Sequence, residues 1–140
     1  MNGGLVTAGH VLPIRVYYED TDFSGSVYHG SFVRFLERGR SELLRSLGIS
    51  HAALDSDGLA FAVVEMALSF RRAARIDDLV EVVTAVREVS GARGTLTQIV
   101  RRGTETLVEA EVTVALVDRD GRPQRFPLAI RAALLAQRMA

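Results

Sequence analysis

The densest run of side chains able to do chemistry is Glu19-Asp20-Thr21-Asp22-Phe23-Ser24-Gly25-Ser26-Val27-Tyr28-His29, which holds three carboxylates, three hydroxyls, a phenol and an imidazole. Four chemistries compete for it. Asp20, Asp22, Ser24 and Gly25 fit the early positions of a calcium loop, but the twelfth position, which should supply a bidentate Glu, is Ser31. An Asp-x-Asp phosphotransferase would need a distant cation, usually Lys, and parallel strands, and neither is evident. Acidic and hydroxyl side chains also cap helix N-termini, which accounts for one or two of these residues but not for the run. The fourth chemistry is a carboxylate beside a helix N-terminus. There the unpaired N–H groups would stabilise a developing oxyanion while the carboxylate attacks a carbonyl or activates water. Amide hydrolysis is hard for so small a constellation. A thioester is easier, because its thiolate leaves without strong acid assistance.

The flanking elements must hold this cluster in place. Ile14–Glu19 is β-rich and roughly alternating, which predicts a first strand, and Asp20–Tyr28 reads as a loop. From His29 the period becomes helical, with Phe32, Leu36, Gly39, Leu43 and Leu47 on one face and Gly48 as the stop. Gly39 in mid-helix is costly, and its position predicts that another backbone approaches closely there. Ile49–Gly58 is short, with room for one helical turn. Ala60–Arg71, Leu79–Val89, Gly94–Arg102 and Thr106–Asp118 read as long strands separated by turn residues, and Leu128–Gln137 as a closing helix after Pro127. Short turns imply antiparallel neighbours. One sheet with an apolar face and one long amphipathic helix to cover it define an α+β domain: an antiparallel sheet wrapped around a central helix. The other face and edges of such a sheet invite a second copy of the chain.

Composition narrows the partners. The chain has 140 residues, and its 17 basic residues balance 17 acidic ones. Such balance argues against nucleic acid. Every basic residue is Arg, which excludes any mechanism needing a catalytic lysine. There is no cysteine, hence no disulfide frame or thiol nucleophile. No apolar run approaches the length of a membrane span, about 20 residues, and Met1–His10 lacks the pattern of a secretory signal. A cytoplasmic location is the expectation.

Val16-Tyr17-Tyr18-Glu19-Asp20-Thr21-Asp22, Val27-Tyr28-His29 and Phe35-Leu36-Glu37-Arg38-Gly39-Arg40-Ser41-Glu42 closely resemble the hotdog-fold acyl-CoA thioesterases. The subgroup is 4-hydroxybenzoyl-CoA thioesterase-like and Tol-Pal-associated (YbgC-type). The resemblance continues through Ala74-Arg75-Ile76-Asp77-Asp78 and Pro123-Gln124-Arg125-Phe126-Pro127, with Ala73 standing where the family usually has a proline. It implies a hotdog fold over residues 13–140 behind a flexible lead of residues 1–12, and a homodimer or homotetramer with sites at subunit interfaces. It also implies an acyl-CoA substrate and no cofactor. Carried over, Asp22 is the catalytic carboxylate, as nucleophile or as general base. The His29 amide polarises the thioester carbonyl, and Tyr28 and the His29 imidazole line the site.

The remaining candidates are weaker. Arg71, Arg72 and Arg75 cluster at a strand end, where such forks suit the phosphates of CoA. His10, His29 and His51 are too scattered for a metal triad, so no metal is expected. Glu65, the lone charge within Phe61–Phe70, reads as a rim or interface ion pair, and Glu37 and Glu42 as partners of Arg34, Arg38 and Arg45. Ser24 and Ser26 lie in no nucleophile elbow. Two other functions stay open: a hotdog hydratase or dehydratase, and a non-catalytic acyl-CoA-binding or envelope-associated protein.

Overall fold

The computed structural model describes residues 9–139. Its elements are strand β1 (His10–Arg15), a 3-10 turn (Tyr18–Asp20), helix α1 (His29–Ser46), helix α2 (His51–Ser56), strands β2 (Ala60–Phe70), β3 (Leu79–Ser90), β4 (Arg93–Arg102) and β5 (Glu105–Val117), and helix α3 (Leu128–Met139). The strands form one antiparallel sheet in the order β1-β3-β4-β5-β2. This is the expected α+β hotdog architecture.

Helix α1 forms where the 3.6-residue period begins and stops at Gly48, whose φ of +79° suits glycine. Its buried face carries Phe32, Phe35, Leu36, Leu43 and Leu44 against the sheet. Full burial of each such side chain is worth roughly 1.5–3 kcal/mol. The core has two parts along this helix. Phe32, Phe35 and Leu36 pack with Val16, Val80 and Val100, while Leu43 and Leu44 pack with Leu54, Leu116, Phe126 and Leu134.

Three local expectations change. Strand β1 lies at His10–Arg15 rather than Ile14–Glu19, and Tyr18–Asp20 turns instead. Pro13 argues against a strand from sequence, but β1 is at the sheet edge, where a missing N–H costs little. So His10–Leu12 belong to the domain; of the rest of the expected lead, Gly9 is a bend before the strand and residues 1–8 lie outside those described. Gly39 makes room for side chains, not backbone: a Cβ there would meet Val82 Cγ1 at 2.5 Å and Thr84 Oγ1 at 2.9 Å.

The third change concerns β2, which does not pair with β3 despite the turn residues between them. It pairs with β5 at the far edge of the sheet. The connection over residues 71–78 is instead pinned to the acidic loop. Val27 N–H donates to Ala74 O (2.8 Å), and Ser26 bridges to Arg75. Arg102 reaches Ala73 O (3.3 Å) and Asp78 Oδ2 (2.6 Å). This crossing carries the Arg71, Arg72 and Arg75 backbone past the start of α1.

Candidate active site

The loop between β1 and α1 is closed at its neck. Thr21 and Val27 bridge, Asp22 N–H donates to Ser26 O (2.9 Å) and Tyr28 N–H donates to Asp20 O (3.0 Å). Asp20 is buried and braces this neck: its Oδ2 accepts from Tyr17 N–H (2.9 Å), and its Oδ1 lies 3.7 Å from Arg34. Arg34 therefore turns to Asp20 and to Ser31 Oγ (3.1 Å) rather than to Glu37, while Glu42 does pair with Arg45 (3.2 Å).

At the tip the Asp22 carboxylate is exposed. Ser24 donates its hydroxyl (2.6 Å) and its amide (2.8 Å) to Asp22 Oδ1. These bonds, the hydroxyl first, hold the carboxyl below its ordinary value and keep it ionised. Gly25, at φ +83°, completes the turn. The N-terminus of α1 has no side-chain cap, so the His29 amide is a free donor beside the loop.

An open groove of about 370 Å³ gathers Asp22, His29, Arg71 and Arg72, with Val27, Phe32, Phe70 and Ala73 as its other walls. Two strand-end arginines and two residues from the start of the chain's long helix thus share one surface. The Tyr28 ring stacks on His29 with centroids 4.2 Å apart and covers Gly30, where a Cβ would lie 2.6 Å from Tyr28 Cε2. Phe70 meets His29 edge-on (6.3 Å) and Phe32 at 6.1 Å. Phe32 and Phe70 were read from the sequence only as apolar positions of a helix and a strand, not as site residues; the signal for Phe70 was its place as the last apolar residue before the arginine pair.

Arg71 and Arg72 contact Glu109 (3.2 Å) and Glu105 (3.6 Å) but stay 57% and 64% exposed. Surface pairs of this kind contribute only about 0–1 kcal/mol, so either guanidinium can exchange its carboxylate for a phosphate. Arg75 is not in the groove wall. It sits behind the Asp22 turn, with Nη1 3.9 Å from where a Gly25 Cβ would be, and its amide donates to Asp78 Oδ2 (2.9 Å). Glu65 lies at a bulge in the edge strand β2, exposed, with no ion pair among the described residues. Among the described residues no cluster of three His, Cys, Asp or Glu is placed to hold a metal ion, and no helix is long and apolar enough to cross a membrane.

A family model described as the thioesterase superfamily matches residues 24–109. The chain is 43% identical over 127 residues to the acyl-CoA thioesterase YbgC of Haemophilus influenzae, covering 89% of this chain and 93% of that one. It is 42% identical over 122 residues to the acyl-CoA thioester hydrolase YbgC of Escherichia coli, covering 86% and 91%. Among solved structures, a probable thioesterase from Bartonella henselae superposes with a TM-score of 0.82 at 42% identity, covering 85% of this chain and 99% of that one. The chain belongs to the thioesterase superfamily.

Proposed function

We propose that this protein is an acyl-CoA thioesterase: acyl-CoA and water give the carboxylate, CoA and a proton. The observation that carries the reading is the groove shared by the Asp22 carboxylate and the uncapped α1 N-terminus at His29. In this reading the thioester carbonyl oxygen lies at the His29 amide, where the helix end stabilises the negative charge that grows on it. Asp22, with Oδ1 held by Ser24, presents Oδ2 to the acyl carbon. The His29 imidazole and the Tyr28 ring line the carbonyl, and Phe70 and Phe32 supply an apolar wall for the acyl group. Arg71 and Arg72, and Arg75 behind the loop, take CoA phosphates. No cofactor enters this scheme. A CoA thioester is an intracellular metabolite, so the reading carries a cytoplasmic location with it.

The working unit in this reading is a homo-oligomer. Strand β2 is an edge strand with Val63 and Val64 47% and 45% exposed, and among the described residues its outer side has no strand paired to it. Natural sheets cover such an edge, and a second copy pairing antiparallel along β2 does so while placing the two grooves near one interface. Two such dimers would make a homotetramer. Light scattering of the parent and of Val64→Lys tests this: the parent elutes as a dimer or tetramer and the variant as a monomer, whereas a monomeric parent overturns it.

The function is tested by thiol release from a panel of short, long and aromatic acyl-CoAs, with Asp22→Asn alongside. Turnover by the parent that collapses in a folded Asp22→Asn variant supports the assignment. Tight acyl-CoA binding without turnover by the parent would make the protein a binding module instead.

A further inference from the structure

A second cavity lies under the C-terminal half of α1, away from the Asp22 groove. No residue lines both: on α1 the groove ends at Phe32 and the cavity begins at Glu37, about 7.5 Å further along the helix, while His29 and Arg40 lie about 16 Å apart along it. It encloses about 190 Å³, more than the roughly 150 Å³ that accommodates benzene in an apolar protein cavity. Its interior is apolar, with Phe61, Val86, Leu96, Val114 and Leu134 among its walls, and it opens between the exposed side chains of Glu37, His51 and Val63.

One charge sits inside it. Arg40 is only 8% exposed and lines the cavity. Its Nη1 donates to Gln98 Oε1 (3.0 Å); Gln98 in turn donates to Leu36 O (2.9 Å) and Thr84 Oγ1 (2.9 Å). That network fixes the guanidinium but uses one of its five N–H donors. No carboxylate forms an ion pair with Arg40 among the described residues; Glu37 on the same helix is the acidic group that acts on it from the cavity mouth. Burial pushes the guanidinium below its ordinary value, though an arginine stays charged at neutral pH. A buried, preorganised guanidinium with donors to spare, facing an apolar chamber, is half of a charge-assisted, bidentate pair.

We infer that this cavity binds a compact organic acid, its carboxylate on Arg40 and its apolar body against Phe61, Leu96 and Val114. The acid is either a free molecule or the far end of an acyl group that carries a second carboxylate. The inference concerns binding and stands apart from the reaction proposed at Asp22.

Calorimetric titration of the full chain with octanoate and benzoate, against octanamide and benzamide, tests it. The acids bind at least tenfold more tightly than the amides, which match them in size but lack the charge. Arg40→Gln removes that preference, and Val114→Phe, which fills the chamber, weakens both acids at least tenfold. Equal affinity for acid and amide, acid binding indifferent to both substitutions, or no binding at millimolar concentration overturns the inference. The acid–amide comparison needs no variant and decides the matter even if a substitution disturbs folding. The source is separated by displacing bound octanoate from the Asp22→Asn protein. Displacement by tetradecanedioyl-CoA, whose extended chain spans the distance from His29 to Arg40, but not by tetradecanoyl-CoA identifies the end of an acyl group, and displacement by neither identifies a free acid. Equal displacement by both overturns the charge selection.

Discussion

Ser24 donates both its hydroxyl (2.6 Å) and its amide (2.8 Å) to one oxygen of Asp22, Oδ1. These bonds hold the carboxyl below its ordinary value of 3.8. The sign of the pH dependence follows. A depressed carboxyl adds stability above its unfolded value and loses it as pH falls through the folded one, and over that same fall an active carboxylate is protonated. The acid limb of the rate profile therefore lies below the ordinary aspartate range. Ser24→Ala moves that limb upward, towards 3.8, and leaves the neutral-pH rate nearly unchanged. Asp22→Asn lowers kcat by about 10²–10⁴ at pH values above the acid limb, and the gap narrows below it as the parent carboxylate is protonated. A kcat/KM profile of each variant checks both.

Gly39 faces Val82 and Thr84 at distances no Cβ tolerates. Alanine at this position gains about 1 kcal/mol of helix propensity. It also pushes a methyl group into Val82 Cγ1 at 2.5 Å and crowds the Gln98 amide at 3.2 Å. Overpacking of a tight core costs about 1–3 kcal/mol, and strain on the Gln98 network adds to it, so the clash outweighs the propensity. Gly39→Ala is expected to lower the denaturant midpoint, by a net of about 1–2 kcal/mol. A rise in stability would mean that α1 can lift from the sheet without loss.

Much of this was legible beforehand, for reasons tied to particular residues. The step from Phe32 to Leu36 to Leu43 admits only a helix with one buried face, and α1 begins at His29 and ends before Gly48 as its spacing predicts. Asp22 and His29 were legible because their types and order form a recognisable motif. The partner of β2 was not. Asp77 and Asp78 carry ordinary turn chemistry, and nothing local in them says that the chain crosses to the other sheet edge instead of folding back. That crossing is fixed by distant contacts, Val27 with Ala74 and Arg102 with Asp78. The Arg40 cavity was likewise hidden, since it needs residues from seven separate elements.

The crossing segment gives a stability prediction. Arg102 bonds Asp78 (2.6 Å), Glu105 (2.9 Å) and Ala73 O, and Asp78 also accepts the Arg75 amide, which with Arg102 holds the Asp78 carboxyl below its ordinary value. Both side chains are about two-thirds buried or more. Arg102→Gln is expected to cost about 1–3 kcal/mol. The loss is full above the ordinary carboxylate range and shrinks as pH falls through the depressed Asp78 value, because the parent surrenders the same contact there. Thermal melts at neutral pH and in acid read the difference.

Arg71 and Arg72 serve binding rather than chemistry in this scheme, and kinetics can separate the two. Replacing both with Gln removes charge that CoA phosphates would meet in the substrate and in the transition state alike. Uniform binding of that kind raises KM and leaves kcat in place. The expected change is about tenfold in KM for an acyl-CoA, smaller at high salt, and absent for the same acyl group on a thiol without phosphates. Arg75 lies outside the groove wall, so Arg75→Gln should change KM less than the double variant. A fall in kcat with KM unchanged would move Arg71 and Arg72 into the reacting centre.

The state of Asp22 also favours one of the two routes open to it. A carboxyl held below its ordinary value is a weak base for water, since general-base catalysis works best with a pKa near the working pH. It is, however, fully ionised and needs no proton removed before attacking. On this ground the nucleophilic route is the expected one: the Asp22 carboxylate would attack the acyl carbon, CoA would leave as the thiolate, and a mixed anhydride would link the acyl group to Asp22 until water cleaves it. Borohydride added during turnover should reduce that anhydride and convert Asp22 to an alcohol side chain, found by peptide mass spectrometry. Asp20, which is buried and hydrogen-bonded at the loop neck, should stay intact and serves as the internal control. Thioester consumed under the same conditions with Asp22 unmodified would assign water activation to the carboxylate instead. The acid limb of kcat, which reports the substrate complex, would then lie above that of kcat/KM, because substrate covering the groove raises the carboxyl.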